Sequence, residues 1–239
     1  MSKTRTREQG DGEVAALDQL AREDAGSRAQ FLKMVGGAGA AGALAIFVAA
    51  CGGDDEEEAT SSPSGSSDTG SKPSGGGAKG DIAIVNYALT LEFLEADFYK
   101  KVLDSGEVKN KQVGEVAKEI YENEQEHVEA LMATVEQLGG KPVKAPTTNF
   151  EEVLAGGEAM ILETAASVEN LGAAAYLGQA GNIKNKEILA AALSIHTVEA
   201  RHAAVLNQVV GKTIVPDGAF AKPATMEEVL KTVKPFIKA

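Results

Sequence analysis

The most informative residues of this 239-residue chain are two of its three histidines, because each follows a glutamate at the same spacing. Glu124 lies three residues before His127, and Glu199 lies three residues before His202. Residues three apart on a helix face the same side, so each pair can present an oxygen and a nitrogen to one metal ion. One such pair could be chance on a solvated helix face, whereas a repeated pair predicts a metal site.

Two further glutamates repeat upstream of these pairs. Aligning "ALTLEFLEADFY" with "AASVENLGAAAY" places Glu92 on Glu169 and Tyr99 on Tyr176. In each repeat, the midpoint between this glutamate and the Glu-x-x-His glutamate falls in a turn segment, "SGEVKN" in the first and "GNIKN" in the second. Each glutamate should therefore face its own Glu-x-x-His across a hairpin. We predict that four carboxylates and two imidazoles meet in one layer. Two divalent cations that share these carboxylates would offset the cost of burying them.

Other readings of individual residues stay open at this stage. Glu95, one turn after Glu92, is the main rival as a ligand, but Gly172 occupies the equivalent position of the second repeat and favours Glu92. The two tyrosines are expected to pack and hydrogen-bond rather than to take part in redox steps. Three residues near the pairs are expected to be solvated or outside the direct ligand shell: Glu126, Glu129 and His196.

The two half-sites should be unequal in their surroundings, although they depend on each other through shared glutamates. The first repeat carries Glu95 and Asp97 where the second has Gly172 and Ala174, and Tyr121 aligns with His196. An additional carboxylate favours hard cations, and an additional imidazole favours softer ones.

The elements that position these residues are helices, as the apolar periodicity and the capping residues indicate. Asp81 is a plausible N-cap for the first long helix, and Thr225 with Glu228 predicts a capping box for a last short helix. Asn149 with Glu152 predicts another capping box. The expected helices cover 81 to the turn "SGEVKN", 112–138, 150–155, 158–180, 185–210 and "MEEVLKTV". The predicted fold is all-α, a four-helix bundle of two antiparallel hairpins joined by a crossover through residues 139–157, plus a short C-terminal helix.

Over residues 81–211 the chain resembles the ferritin-like di-iron carboxylate superfamily, whose pattern is a glutamate and a Glu-x-x-His pair, each occurring twice on successive helices. "YALTLEFLEADFY" is similar to the first helix of ferritin-like domains in secreted bacterial proteins and plant desiccation-related proteins. The resemblance implies two iron or manganese ions and chemistry with oxygen, peroxide or ferrous ion. It implies six ligands: Glu92, Glu124, His127, Glu169, Glu199 and His202.

The first 50 residues are expected to be an export segment. Residues 31–50 are apolar or glycine apart from Lys33 and end in "VAAC", which resembles the lipobox of bacterial lipoproteins. Upstream, "SRAQFLK" resembles the twin-arginine motif, but Ala29 stands in place of the second arginine and leaves the general secretory route open. Cys51 is the predicted lipidation site, and the alternative is a buried cysteine ending an uncleaved transmembrane helix. Residues 51–80 are polar and predict a disordered tether, followed by the ferritin-like domain at 81–239.

Composition excludes several functions. The net charge of −12, with no basic stripe, argues against nucleic acid as a partner. The single cysteine excludes a disulfide framework and cysteine-based metal or redox motifs. Two hypotheses follow for a protein displayed on the outer face of a bacterial membrane. It is either an oxidoreductase acting on a small oxidant or a metal-ion substrate, or a non-catalytic metal-binding or structural module.

Overall fold

The computed structural model describes residues 75–238, and these are mostly helical. The predicted export segment, Cys51 and the predicted tether up to residue 74 lie outside the described residues. The elements in chain order are α1 (Gly75–Ser105), α2 (Lys111–Gln137), α3 (Glu151–Ala155), α4 (Gly157–Ala180), α5 (Lys186–Val209), α6 (Met226–Val233) and a 3₁₀ turn (Lys234–Phe236). The predicted all-α bundle with a crossover and a short C-terminal helix is confirmed.

The four long helices form two hairpins that pack against each other, α1 with α2 and α4 with α5. Both hairpins start their second helix in the same way. The side chain of Asn110 accepts the backbone N–H groups at the start of α2, and that of Asn185 does the same at the start of α5. An asparagine at this position satisfies backbone donors that lack a partner within the helix, so each turn ends at a defined residue.

Asp81 does not cap α1, because the helix begins at Gly75 and includes it. Its buried carboxylate instead accepts the backbone N–H groups of Lys184 and Asn185, each at 2.9 Å, in the turn of the other hairpin. The first turn is held reciprocally, since Glu158 of α4 accepts the N–H of Lys109 at 3.0 Å. Each hairpin therefore fixes the turn of the other, and this sets the relative height of the four helices.

The crossover between α2 and α4 is tied to α1 and to the C-terminus. Asn86 donates to the carbonyl of Lys141 and accepts the N–H of Val143. Thr148 forms an isolated antiparallel bridge with Ile237.

The two short helices differ in their caps. The capping box expected for α3 is absent, because Phe150 occupies the N-cap and its side chain makes no cap; Asn149 Oδ1 accepts only the N–H of Glu151, at 3.4 Å. The box of Thr225 and Glu228 at the start of α6 is confirmed.

The core consists of two apolar clusters within the bundle. One contains Phe98, which is fully buried and packs its ring against Tyr99 and Phe150. The other contains Leu89 and Val135, also fully buried. Burial of side chains of this size stabilises a fold by about 1.5–3 kcal/mol each. This stabilisation offsets the cost of the buried polar groups between the helices. Within residues 75–238, no helix combines the length and apolarity needed to cross a membrane.

Candidate metal centre

Six glutamate and histidine side chains, contributed by all four long helices, meet inside the bundle. The four carboxylates are fully buried and the two imidazoles are 8–9% exposed. The contributors are Glu92 on α1, Glu124 and His127 on α2, Glu169 on α4, and Glu199 and His202 on α5. The structure therefore brings together all six residues that the spacing selected.

These residues form two overlapping groups, each able to offer four ligand atoms that lie within 4.8 Å of one another. One group consists of Glu92, Glu124, His127 and Glu199, and the other of Glu124, Glu169, Glu199 and His202. The two groups share Glu124 and Glu199. A glutamate common to both groups has two oxygens with which to bridge two ions.

Each imidazole turns its Nδ1 atom towards several carboxylates. In the first group, His127 Nδ1 lies 3.2 Å from Glu92 Oε2, 3.1 Å from Glu124 Oε2 and 3.2 Å from Glu199 Oε1. In the second group, His202 Nδ1 lies 3.1 Å from Glu124 Oε1 and 3.2 Å from Glu169 Oε2. One N–H can donate well along only one direction, so a single ring nitrogen cannot satisfy this number of oxygens.

Three of the carboxylate oxygens are buried and make no hydrogen bond with the described residues: Glu124 Oε1, Glu199 Oε1 and Glu199 Oε2. The contacts of Glu124 Oε1 and Glu199 Oε1 with imidazole nitrogens are close, but they lack hydrogen-bond geometry. A buried carboxylate oxygen without a partner is costly, and most such groups in folded proteins are satisfied. All three atoms belong to the two shared glutamates, so cations between the groups would satisfy them.

The ionisation of the cluster reflects burial and mutual repulsion. Burial raises the pKa of Glu92 to about 7, although His127 opposes the rise. Burial and then repulsion by Glu124 raise the pKa of Glu199 well above its usual value. The pKa of Glu124 is lowered instead, because the adjacent imidazoles outweigh the effect of burial.

The pKa values of both imidazoles are also raised, but the cause is the neighbouring carboxylates and not burial. Burial by itself lowers the pKa of His127, but Glu92 and Glu124 raise it well above its usual value. The pKa of His202 rises to about 10, because its close contacts with the carboxylates of Glu124 and Glu169 outweigh the effect of burial. Without metal, two protonated imidazoles would face four buried carboxyl groups. The carboxyl oxygens therefore outnumber the imidazole N–H donors, and divalent cations can bind the remaining oxygens.

Two tyrosines cross between the hairpins to bind the unshared glutamates. Tyr99 of α1 donates to Glu169 Oε1 at 2.6 Å, and Tyr176 of α4 donates to Glu92 Oε1 at 2.5 Å. The expected packing role with a hydrogen bond is thus observed. Because one oxygen of each glutamate is held by a tyrosine, the other oxygen faces the imidazole of its group.

Glu95 lies beside the cluster but is in neither group. Its carboxylate is 3% exposed, and burial followed by repulsion from Glu199 raises its pKa well above the usual value. A Cβ on Gly172 would lie 3.0 Å from Glu95 Oε1 and 2.9 Å from Glu199 Oε2. The absent side chain of Gly172 therefore leaves the space in which Glu95 approaches the cluster.

Asp97, which aligns with Ala174 of the second repeat and was expected to make the half-sites unequal, faces away from the cluster. Its half-exposed carboxylate binds Lys101 at 2.5 Å and accepts from Thr148 in the crossover. The remaining differences also lie outside the metal groups. His196 Nδ1 is 3.0 Å from the carbonyl of Ala173. Glu126 is half-buried and Glu129 is exposed, and neither belongs to a metal group.

Asn123 is a site residue that spacing did not identify. Its Oδ1 lies 3.0 Å from His202 Nε2, the ring nitrogen that points away from the carboxylates. Donation from Nε2–H to Asn123 leaves Nδ1 of His202 available to a metal ion, because neutral imidazole carries one N–H. The only hint in the sequence was the position of Asn123 directly before Glu124. The contact joins two different hairpins, so spacing along one helix does not predict it.

The described bundle is similar to known protein domains. A family model described as a ferritin-like domain matches residues 80–212. The chain is also similar to the crystal structure of hypothetical protein MJ0754 from Methanococcus jannaschii DSM 2661. The identity is 15%, the TM-score is 0.43, and the match covers 71% of this chain and 98% of that one. No curated protein matches the chain.

Proposed function

Because the chain belongs to the ferritin-like domain family, we propose that its glutamate–histidine layer binds two metal ions and supports redox chemistry with oxygen, peroxide or ferrous ion. The observation that carries the proposal is the set of partnerless buried oxygens on Glu124 and Glu199, the two glutamates common to both ligand groups. Their cost is removed when each oxygen contacts a cation.

The donor set is compatible with iron or manganese. Each group combines three carboxylates with one imidazole, a mixture that suits these ions and contains no thiolate. Glu92 and His127 would hold one ion and Glu169 and His202 the other, with Glu124 and Glu199 available to both. Bound ions of this kind supply reversible electron transfer and polarise a bound small molecule.

The substrate classes are those that the resemblance to di-iron carboxylate proteins implies. Oxidation of ferrous ion by oxygen is balanced when two ferrous ions each give up one electron and oxygen takes two protons to become hydrogen peroxide. Electrons would come from the substrate or from a separate partner, since the sequence has a single cysteine and no cysteine-based redox site.

We further propose that the protein is a lipoprotein of the secreted, desiccation-related type, held on the outer face of a bacterial membrane through Cys51. The support is "VAAC" followed by the polar tether. Replacing Cys51 with Ser should release or mislocalise the chain. Recovery of Met1 at the N-terminus of the membrane-bound protein would contradict this proposal.

Metal analysis of the full-length protein, purified in detergent, tests the centre. After reconstitution with iron or manganese we expect two ions per chain, together with consumption of ferrous ion or peroxide above a metal-free control. Protein that stays free of metal after reconstitution with both ions would reject the metal site.

A non-catalytic role is the second candidate, and it rests on the burial of the carboxylates. The four carboxylates are fully buried at the centre of the helices, so bound ions would stabilise the bundle whether or not they react. Loaded protein that consumes neither ferrous ion nor peroxide, yet unfolds at a higher temperature than the metal-free form, would favour this structural role.

A further inference from the structure

The connection between α5 and α6 exposes apolar side chains to solvent. All residues from 211 to 223 are exposed, and three of them are large and apolar. Ile214 is 54% exposed, Val215 is 56% exposed and Phe220 is 86% exposed. We name residues 211–224 the apolar loop. Grouped apolar side chains on a protein surface mark a site of contact with a partner or a membrane.

The tip of the apolar loop is held by its own hydrogen bonds. The N–H of Gly218 donates to the carbonyl of Val215 at 3.0 Å and forms a turn. The carboxylate of Asp217 accepts the N–H of Lys222 at 3.4 Å and lies 3.1 Å from the ammonium group of the same lysine. These contacts close the short segment that carries Phe220, so the phenyl ring is presented outwards by a defined backbone.

Both ends of the apolar loop are fixed to the bundle. The N–H of Lys212 donates to the carbonyl of Asn207 at 2.7 Å, and its ammonium group pairs with Glu163 of α4. At the other end, the N–H of Ala224 donates to the carbonyl of Ala174 at 2.9 Å. The loop is therefore attached along α4, while its apolar side chains remain exposed.

The charge of this part of the chain suits an anionic surface. Residues 211–238 contain five lysines and three acidic residues, whereas the whole chain carries a formal charge of −12. Lys212 and Lys222 flank the apolar residues of the loop. Lysines beside aliphatic and aromatic side chains favour the interface of a bilayer that contains anionic lipids. Lysine is depleted from interfaces between proteins, so a protein partner fits this loop less well.

The apolar loop lies within reach of a lipid on Cys51. Gly75, the first residue of α1, follows Cys51 by 24 residues, and a flexible chain of that length and a Gly/Ser-rich composition spans roughly 25–30 Å. The start of α1 lies beside the turn between α4 and α5, which Asp81 binds. Ala174, where the loop rejoins the bundle, lies six residues before the end of α4, a rise of about 9 Å.

We propose that the apolar loop docks on a bilayer surface containing anionic lipids and inserts Phe220 between the lipids. The nearness of the bilayer rests on the proposed lipidation of Cys51. Because the tether keeps the loop close to the bilayer, a weak contact is sufficient. Docking holds the domain in one orientation, with the apolar loop towards the membrane.

Tryptophan fluorescence measures the docking directly, because the chain contains no tryptophan. Full-length Phe220→Trp protein is reconstituted into vesicles of phosphatidylcholine and phosphatidylglycerol, with and without brominated acyl chains. We expect the emission to shift to shorter wavelength and to be quenched by the brominated lipids. The control is Met132→Trp, at a 36% exposed position of α2 between the exposed Glu129 and Glu136. Its emission should show neither change.

Vesicles of phosphatidylcholine alone test the part played by the lysines. Quenching of Phe220→Trp by brominated lipids should be weaker there, because Lys212 and Lys222 lose their anionic partners. Equal quenching in the two kinds of vesicle would overturn the preference for anionic lipids.

The remaining outcomes separate docking from lipidation. Emission of Phe220→Trp that brominated lipids do not quench would overturn docking. A shift to shorter wavelength without such quenching would do the same and would indicate that a second copy of the chain covers the loop. An intact mass without lipid on Cys51 would instead reject the proposed lipoprotein, and quenching by brominated lipids would still decide whether the loop docks.

Discussion

Tyr176 of the second hairpin donates a 2.5 Å hydrogen bond to Glu92 of the first, and Tyr99 returns the same contact to Glu169. The reciprocity follows from an antiparallel crossing of α1 and α4, in which each tyrosine lies two turns beyond its own glutamate and level with the other one. The midpoint of the crossing falls near Glu95 and Gly172, where the glycine gives the glutamate room.

The tyrosine contact predicts a specific change in metal affinity. Tyr176→Phe should weaken binding of the ion at the Glu92 group by roughly 10- to 100-fold, because Glu92 loses the donor that orients it. Chelator competition with manganese measures the affinity. Tyr121→Phe, which removes a hydroxyl from a half-buried tyrosine outside both groups, is the control and should bind metal normally. Equal affinity of Tyr176→Phe and wild type would contradict an orienting role.

The shared glutamates predict a loss of more than one ion per change. Glu124→Ala or Glu199→Ala removes oxygens from both groups at once, so each variant should lose more than one ion per two-ion site and any oxidase or peroxidase activity. Metal stoichiometry alongside ferrous and peroxide consumption measures both effects. Glu129→Ala, at an exposed position of α2, should keep two ions. A Glu124→Ala variant that keeps one tightly bound ion would show that the groups are independent.

The raised pKa values predict that the metal-free protein loses stability as pH rises from 5 to 8. Glu92 has a folded pKa of about 7 against 4.5 for the unfolded chain, so its contribution is complete below pH 4.5 and is lost as pH rises through 7. The contribution of His202 is complete below pH 6.5 and is lost as pH rises through about 10. The depressed pKa of Glu124 affects stability only at more acidic pH.

Urea unfolding at pH 5 and pH 8, with and without manganese, measures this dependence. We expect the metal-free protein to be less stable at pH 8 by on the order of a few kcal/mol. Stabilisation by manganese should be larger at pH 8, because metal binding requires deprotonated ligands. Metal-free protein that gains stability between pH 5 and pH 8 would refute this assignment of charges.

Much of the site could be predicted because helix periodicity fixes which residues of one helix share a face. The pairing of Glu92 with Glu124 followed from their equal distance from one turn. Contacts between hairpins were less accessible to sequence reasoning. Asp81 looked like an N-cap but binds the opposite turn, and Asn123 reaches the histidine of the other hairpin. Such contacts depend on how the helices rotate and cross, which spacing along one helix does not determine.

Gly178 predicts a stability effect far from the ligands. A Cβ at this position of α4 would lie 1.9 Å from the carbonyl oxygen of Ala224, a backbone atom that cannot rotate away. Gly178→Ala should therefore destabilise the protein by about 1–3 kcal/mol, as overpacking does in other cores. Gly114→Ala, at a helical position of α2 with open space, should be neutral or stabilising. Thermal unfolding of the two variants compares them, and equal stability would contradict the close approach of this segment.

Asn123 predicts that the two half-sites differ in affinity. It accepts from His202 Nε2 at 3.0 Å, whereas Val198, the residue that directly precedes Glu199 in the other hairpin, has an aliphatic side chain that cannot accept. Asn123→Leu should weaken the ion of the His202 group roughly 10- to 100-fold and affect the His127 group less, because only His202 loses its orienting acceptor. Stepwise manganese titration resolves the two affinities. Asn123→Asp, which retains an acceptor oxygen, should restore binding. Equal weakening of both steps in Asn123→Leu would show that the change acts through the fold, and no weakening would show that Asn123 does not orient the ligand.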